Sequence, residues 1–230
     1  MSHVGNRRVW LGSGLGVGMA LFLGVVAVGI PGSSPAGGNT SKYIGAQKCK
    51  NCHQDEKTGN QHAKWQASKH AKAFDLLATP ASKTAGKEKG VDDPQSSPKC
   101  LKCHVTAYGA PPDRLAASFD PKLGVQCESC HGPGEAHFKA RFAAAAEMEE
   151  GDEGPQQVPA GEIDARPGSK TCQTCHNEES PSFKGFCFKK RLAEIAHPDP
   201  RKQSESVGKT CICGDVCDPK CGDCKPPKAP

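Results

Sequence analysis

The sequence predicts a mainly α-helical fold with long loops, in which bound groups replace much of an ordinary hydrophobic core. Two observations lead to this prediction. The pattern Cys-x-x-Cys-His occurs four times, and only sixteen Val, Ile and Leu residues lie in the last 190 positions. So few branched apolar side chains cannot fill the core of an ordinary domain of that size. Short helices are therefore expected to wrap around other apolar material.

The four motifs predict covalent attachment of four haem c groups, because this spacing marks a c-type haem. Each cysteine pair forms thioethers to the haem vinyl groups, and the adjacent imidazole reaches the iron from the same side. Zinc sites or disulfides are the alternative, but zinc does not require a histidine after every cysteine pair. The predicted attachment residues are Cys49, Cys52, Cys100, Cys103, Cys127, Cys130, Cys172 and Cys175, and the predicted proximal iron ligands are His53, His104, His131 and His176. The expected fold is a compact multihaem c-type cytochrome whose core is largely haem.

The N-terminal segment, residues 1–40, predicts export. Arg7 and Arg8 precede an uncharged run over residues 9–30, which a Pro-, Gly- and Ser-rich stretch follows. This order is typical of an export signal with a linker. The run of 22 residues is also long enough to span a bilayer, so an uncleaved membrane anchor is the second interpretation. In both cases the haems attach outside the cytoplasm, and the protein is expected to be periplasmic, membrane-anchored or extracellular.

The tetrahaem domain, residues 41–200, needs further ligands at the sixth position of its irons. Met148 is the only methionine after Met19, so at most one haem has His/Met ligation. Histidine is expected to supply the other ligands. Outside the motifs and the export segment the histidines are His62, His70, His137 and His197. Their number matches the number of irons but does not establish four pairs.

Three of these histidines are predicted distal ligands. His70 lies within an apolar stripe of helical spacing over residues 63–77, which must pack on something. His137 follows His131 by six residues, which span at most about 20 Å, so it more readily serves a different haem. His197 ends a helical stretch before Pro198. Capping of that helix is the alternative role for His197.

The C-terminal segment, residues 201–230, is predicted to be a polar linker followed by a Cys-rich tail. Its five cysteines and Cys187 make six spare thiols, which suggests three disulfides in an oxidising compartment. A small metal cluster is the alternative. Cys221, Cys224 and Lys225 also resemble a rare haem motif with lysine as the proximal ligand.

The charge balance indicates no nucleic-acid partner. The formal net charge is +5, and it falls to +3 without Arg7 and Arg8 of the export segment. Haem propionates would add negative charge. A nucleic-acid-binding domain is usually far more basic than this.

Three segments resemble the tetrahaem cytochrome c-554 family of nitrifying bacteria: Trp65–Ala73, Cys103–Val105 and Gly124–Gly134. The resemblance extends over roughly residues 43–198. It implies that His137 ligates the first haem, His70 the third and His197 the fourth. It also implies that the second haem, here on His104, is five-coordinate.

The sequence departs from that family between His53 and Trp65, where extra residues include His62. His62 either closes the second iron or faces solvent, and solvent is the preferred expectation. The state of the iron on His104 therefore stays open at this point.

The expected function is electron transfer by a relay of haems, with redox partner proteins and without an assigned catalytic residue. The resemblance implies electrons from a periplasmic dehydrogenase, hydroxylamine oxidoreductase in nitrifiers, and a quinone-linked or soluble acceptor. One alternative is an enzyme that binds or reduces nitric oxide or a related small nitrogen species at an open iron on His104. Another is a subunit of a cytochrome filament. The carrier is preferred to the enzyme, because bis-histidine ligation leaves iron coordinatively saturated in both redox states.

Overall fold

The computed structural model describes residues 40–149, 158–159 and 161–201. Within these ranges the regular structure is helical, apart from one isolated bridge between Tyr43 and Leu115. The predicted mainly α fold with long loops is therefore confirmed. The predicted export segment and Cys-rich tail lie outside the described residues. Among the helices of the described ranges, none has the length and apolar character needed to cross a bilayer.

The described helices are short, and each haem motif lies on or directly after one of them. The α-helices are α1 Ala46–His53, α2 Gln61–Ala67, α3 Ala73–Leu76, α4 Pro80–Glu88, α5 Pro98–His104, α6 Cys127–His131, α7 Glu135–Ala146, α8 Ser169–Gln173 and α9 Phe188–Ile195. Short 3-10 helices cover Glu56–Thr58, Pro112–Arg114 and Pro121–Leu123. Helical geometry places the two cysteines of a motif three residues apart on one face. Both thiols of a motif can therefore reach the same group.

The predicted helical stripe through His70 is interrupted. Helix α2 ends at Ala67, because Ser68 is extended with ψ 164°. The Ser68 hydroxyl oxygen accepts a hydrogen bond from the backbone N–H of His70 at 3.2 Å. Such local bonds from serine compete with helix continuation. His70 therefore lies in a turn before α3, and the apolar stripe of helical spacing over residues 63–77 does not lie on one continuous helix.

Helices of the structure lie next to the other two candidate distal histidines. Helix α7 begins two residues before His137. Helix α9 ends at Ile195, and Ala196 is extended with ψ 135°. His197 consequently follows the helix in an extended segment, as Pro198 predicts.

The apolar core of the described residues is small. Six hydrophobic side chains are buried: Ile44, Ala46, Ala73, Leu77, Val91 and Val105. Several polar side chains are buried beside them, among them His62, Thr106, Gln126 and Glu128. A protein of this size usually buries far more apolar surface. The small apolar core agrees with a fold organised around large bound groups.

Candidate haem-binding site

Six of the seven predicted histidine ligands form three ring pairs. The ring centroids of His53 and His137 are 6.3 Å apart, with planes inclined by 24°. The second pair joins His70 and His176 at 6.0 Å, and the third joins His131 and His197 at 6.0 Å. Each pair combines a histidine of a Cys-x-x-Cys-His motif with one outside the motifs. The pairs therefore bring together residues that are distant in sequence.

The spacing of these rings fits an iron ion between two imidazoles. A metal–nitrogen bond of about 2.0 Å on each side, with about 1.1 Å from each nitrogen to its ring centre, places the ring centres about 6 Å apart. The three observed centroid distances agree with this value. Direct ring stacking would require closer contact or lateral offset. Two imidazoles are also the donor set that completes a haem iron held by its porphyrin nitrogens.

Hydrogen bonds orient the rings in the way that metal ligation requires. For five of these histidines the Nδ1 atom lies next to an oxygen that can only accept a hydrogen bond. The acceptors are Gln61 Oε1 for His53 (3.4 Å), the Ala73 carbonyl for His104 (2.8 Å), the Asp164 carbonyl for His131 (2.6 Å), Glu162 Oε2 for His137 (3.2 Å) and the Ile195 carbonyl for His197 (2.8 Å). Because Nδ1 carries the proton, Nε2 has a free lone pair for iron.

Burial also keeps several of these imidazoles in the neutral form that binds metal. Desolvation by burial is the main cause that lowers the pKa of His53, His70, His131 and His176. A nearby histidine contributes in three of these cases, because a second positive charge would be repelled. His137 acts on His53, His176 on His70 and His197 on His131. A neutral imidazole is the state in which histidine donates its lone pair to a metal.

The thiols of different haem motifs approach each other. None of the eight motif cysteines is in a disulfide, so all eight are available for thioether attachment. The interaction between the Cys49 and Cys127 thiols raises the pKa of Cys49 and lowers that of Cys127. Burial, followed by repulsion from Cys175, raises the pKa of Cys103 to about 11. The first motif therefore lies near the third and the second near the fourth, and Cys130 of the third motif also lies near Cys172 and Cys175 of the fourth.

His104 differs from the other motif histidines. Its Nδ1 donates to the Ala73 carbonyl oxygen, yet no ring contact in the described part of the chain joins it to another histidine. The remaining candidate, His62, packs on Trp65 with ring centroids 5.3 Å apart. The described residues therefore place no imidazole opposite His104.

The expectation that His62 faces solvent is wrong. Its side chain is only 4% exposed, and its Nε2 atom is buried without a hydrogen-bond partner. Burial and the nearby Lys50 of α1 lower its pKa. Helix α2, which carries His62, packs against α1. The ring thus lies near the first motif.

Two of the expected pairings are exchanged. The resemblance implied that His70 serves the third motif and His197 the fourth, whereas the structure places His70 beside His176 and His197 beside His131. The chain after α9 reaches this position by returning to the loop between α1 and α2. A Cβ atom at Gly59 would stand 2.5 Å from the Pro198 carbonyl oxygen, so the approach requires glycine. His137 lies beside His53 of the first motif, as the resemblance implied.

Sequence reasoning missed the polar residues that hold the third motif against the first. Glu128 Oε1 accepts hydrogen bonds from the backbone N–H groups of Ile44 (2.8 Å) and Gly134 (2.7 Å), and Oε2 accepts one from Gly45 (2.8 Å). Gln126 Oε1 accepts a hydrogen bond from the Ala46 N–H at 2.8 Å. The presence of a carboxylate residue inside the third haem motif was the sequence signal that could have drawn attention to Glu128. No sequence pattern pointed to the carboxylate of Glu162 beside His137.

The spare thiol in the described residues is oxidised. Cys187, the residue before α9, is disulfide-bonded. This agrees with the disulfide interpretation for that one cysteine. The other five spare cysteines lie outside the described residues, so the tail's disulfides, the metal cluster and the lysine-type motif stay predictions.

Comparison with known proteins gives consistent matches. Residues 48–132 match the family model "Cytochrome c554 and c-prime". Cytochrome c-554 from Nitrosomonas europaea is 32% identical over 151 residues, which cover 62% of this chain and 61% of the relative. The chain thus aligns with about three fifths of that relative's length. The match to the reduced-state structure of cytochrome c554 from the same organism covers 67% of this chain and 78% of the chain in that structure. The sequence identity is 25% and the TM-score is 0.45.

The family match and the site geometry lead to the same cofactor. The family model spans three of the four Cys-x-x-Cys-His motifs, and the fourth motif contributes His176 to a histidine pair. The chain has the four attachment motifs of a multihaem c-type cytochrome with four covalently bound haem c groups. Over residues 48–132 the chain is similar to the family of cytochrome c554 and c-prime, which agrees with the resemblance seen in the sequence.

Proposed function

We propose that this protein is an exported electron relay between a redox donor and a redox acceptor outside the cytoplasm. The three histidine pairs carry the proposal, because their ring spacing suits one iron between each pair. In the proposed assignment, His53 and His137 hold the first iron, His131 and His197 the third, and His176 and His70 the fourth. His104 holds the second iron from one side. The eight motif cysteines attach the four porphyrins.

The residues of this chain suit electron passage more than chemistry on a substrate. When bound, each haem supplies reversible one-electron oxidation and reduction. Paired imidazoles leave three irons without an open position, so the ligand shell need not rearrange on reduction. The Nδ1 hydrogen bonds fix the ring orientations further. The contacts between thiols of motifs one and three, and of motifs two and four, support short distances between attachment sites.

The partners that suit such a relay are redox proteins. We propose a dehydrogenase in the same compartment as donor, and a quinone-linked or soluble protein as acceptor. Attachment outside the cytoplasm supports a periplasmic or extracellular location, and the predicted N-terminal segment leaves membrane anchoring as part of the proposal. The formal net charge of +5 is too small to suggest a nucleic-acid partner.

A second candidate function rests on His104. No histidine ring of the described residues pairs with it, although its Nδ1 is held by Ala73 in the same way as the paired ligands. An iron on His104 would therefore have an open side, suited to nitric oxide or a related small nitrogen species. The protein could also be a filament subunit, in which a neighbouring copy would supply a ligand to the open side of the iron on His104.

Rates of passage and of consumption separate these functions. The full-length haem-loaded protein would be reduced by a soluble donor, and electron delivery to a soluble acceptor would be timed by stopped-flow spectroscopy. Steady-state consumption of nitric oxide and of hydroxylamine would be measured on the same preparation. Fast passage with negligible consumption is expected. Consumption approaching the passage rate would establish the enzyme instead.

A further inference from the structure

Glu162 connects two side chains of α7 through both of its carboxylate oxygens. Its Oε2 atom lies 3.2 Å from His137 Nδ1, and its Oε1 accepts a hydrogen bond from Arg141 Nη2 at 2.7 Å. His137 and Arg141 are four residues apart, which places them on the same face of the helix. The carboxylate therefore has a fixed position relative to the imidazole.

This contact is largely removed from solvent. The side chains of His137 and Glu162 are 17% and 15% exposed, and that of Arg141 is 22% exposed. Charges in such surroundings are screened less than charges on an open surface. A negative charge on Glu162 therefore acts strongly on the imidazole that it contacts.

The acceptor on His137 also differs in kind from the others. Among the described histidines with an Nδ1 hydrogen bond, His53 has a side-chain amide, and His104, His131 and His197 have backbone carbonyls. These acceptors are neutral. The acceptor for His137 alone in this set is a carboxylate. The four haem sites are therefore not electrostatically equivalent.

We propose that Glu162 tunes the first haem, on His53, by making His137 a more electron-donating ligand and so lowering the reduction potential of that haem relative to the others. A carboxylate that accepts the Nδ1 proton raises the basicity of a metal-bound imidazole. A more basic ligand favours ferric over ferrous iron, and hydrogen bonding to the ligands is a recognised control of haem potential. Arg141 holds the carboxylate in place and offsets part of its charge.

This inference rests on the proposed ligation of the first iron by His137. Glu162 is a positioning and tuning residue, since it acts through His137 and touches no reacting atom. Its role predicts a shift in potential rather than a loss of haem. The test therefore reads both ligation and potential.

The central variant is Glu162→Gln in the full-length haem-loaded protein. Glutamine retains an oxygen that can accept from His137, but it removes the negative charge. Glu135→Gln is the matched control, because Glu135 lies on the same helix two residues before His137 and contacts Lys42 and Lys139 instead. Electron paramagnetic resonance would count low-spin haems, and spectroelectrochemistry would give the four midpoint potentials.

The expected result for Glu162→Gln is an unchanged number of low-spin haems and a higher potential for one haem, with a changed g-value pattern for that haem. Glu135→Gln should shift no single haem comparably. Arg141→Met should lower the same potential, because it removes the cation that offsets Glu162. Unchanged potentials with intact ligation would overturn the inference. A new high-spin haem in Glu162→Gln would overturn it too, since Glu162 would then only hold His137 in place.

A separate variant distinguishes failure of the inference from failure of the proposed ligation. His137→Ala should convert one low-spin haem to high spin. If it does not, His137 is no iron ligand, and both the ligation and the tuning role are contradicted. If it does, the Glu162 result judges the tuning role alone.

Discussion

Gly124 lies against the backbone of His70, so closely that a Cβ atom at position 124 would stand 2.7 Å from the His70 carbonyl oxygen. The same oxygen accepts a hydrogen bond from the Val125 N–H at 3.0 Å. The segment leading into the third motif therefore supports the turn that carries His70. That turn continues to Ala73, whose carbonyl oxygen accepts from His104 Nδ1. One close backbone approach thus positions a distal histidine and orients a proximal one.

Replacing Gly124 by alanine should disturb this turn. The φ angle of +74° is unfavourable for alanine, and the new Cβ would clash with backbone atoms of residues 70–73. Residues forced into such conformations cost about 1–3 kcal/mol. We expect lower thermal stability and partial loss of the low-spin signal from the haem that His70 serves, measured by thermal unfolding and electron paramagnetic resonance.

Gly90→Ala is the control for that prediction. Gly90 also has a positive φ, +67°, but a Cβ there meets nothing within 4 Å. The Gly90→Ala variant should have a slightly lower thermal stability, and the ligation of its haems should not change. Equal effects of the two substitutions on the haem signals would show that the contact between Gly124 and His70 does not position the ligand.

The exchanged histidine pairs predict which haem opens when a distal histidine is removed. Replacing His70, His137 or His197 singly by alanine should convert one low-spin ferric haem to high spin. Replacing His62 should not, because its ring packs on Trp65 near the first motif. Electron paramagnetic resonance of each variant counts the open haems.

A combined variant identifies the haem that His70 serves. In a chain whose Cys172 and Cys175 are replaced by serine, the fourth haem is not attached. Adding His70→Ala to that chain should create no further high-spin haem, since His70 lies beside His176. The contradicting result has two parts: His70→Ala would create a further high-spin haem in the chain without Cys172 and Cys175, but not in a chain without Cys127 and Cys130. That result would support the pairing of His70 with the third haem, which the resemblance implied.

The buried carboxylate of Glu128 should contribute to folding stability rather than to electron transfer. Its two oxygens accept three backbone N–H donors, so Glu128→Gln leaves a buried donor facing an amide NH₂ group. The expected loss is about 1–3 kcal/mol in the free energy of unfolding. Urea unfolding of the haem-loaded protein would measure it.

Glu194→Gln provides the comparison for Glu128. Glu194 forms an exposed ion pair with Arg191, with both side chains more than half exposed. Such surface pairs change stability by less than about 1 kcal/mol. If the two glutamine variants unfold at the same urea concentration, the buried hydrogen bonds of Glu128 do not stabilise the fold as inferred.

The Cys-rich tail is predicted to be separable from the haem domain. Truncation after Arg201, combined with Cys187→Ser to avoid an unpaired thiol, should leave all four haem spectra unchanged. The reason is the polar linker predicted after residue 201. Loss of haem or altered ligation, seen by mass spectrometry and absorption spectra, would place the cysteine cluster within the haem fold.

The sequence was sufficient for the features that chemistry imposes at short range. A haem motif needs its five residues in order, and Pro198 disfavours helical backbone at the residue before it, so the four motifs and the end of α9 near Pro198 could be predicted. The break in the helix before His70 depends on a local hydrogen bond to the Ser68 hydroxyl group, which competes with helix continuation. The spacing of apolar residues in the sequence does not reveal this hydrogen bond. The histidine pairings and the Glu162 contact depend on residues far apart in the chain. Which residues pair depends on close backbone contacts between distant segments, such as those at Gly59 and Gly124.

Spin counting of the untreated ferric protein tests the central claim most directly, because the claim is a relay with three paired irons and one unpaired. Quantitative electron paramagnetic resonance on the full chain should give three low-spin haems and one high-spin haem. The reduced protein should then bind one carbon monoxide per chain. Four low-spin haems would show that a histidine or another group closes the iron on His104. Two or more high-spin haems would contradict the three histidine pairs and, with them, the relay built on saturated irons.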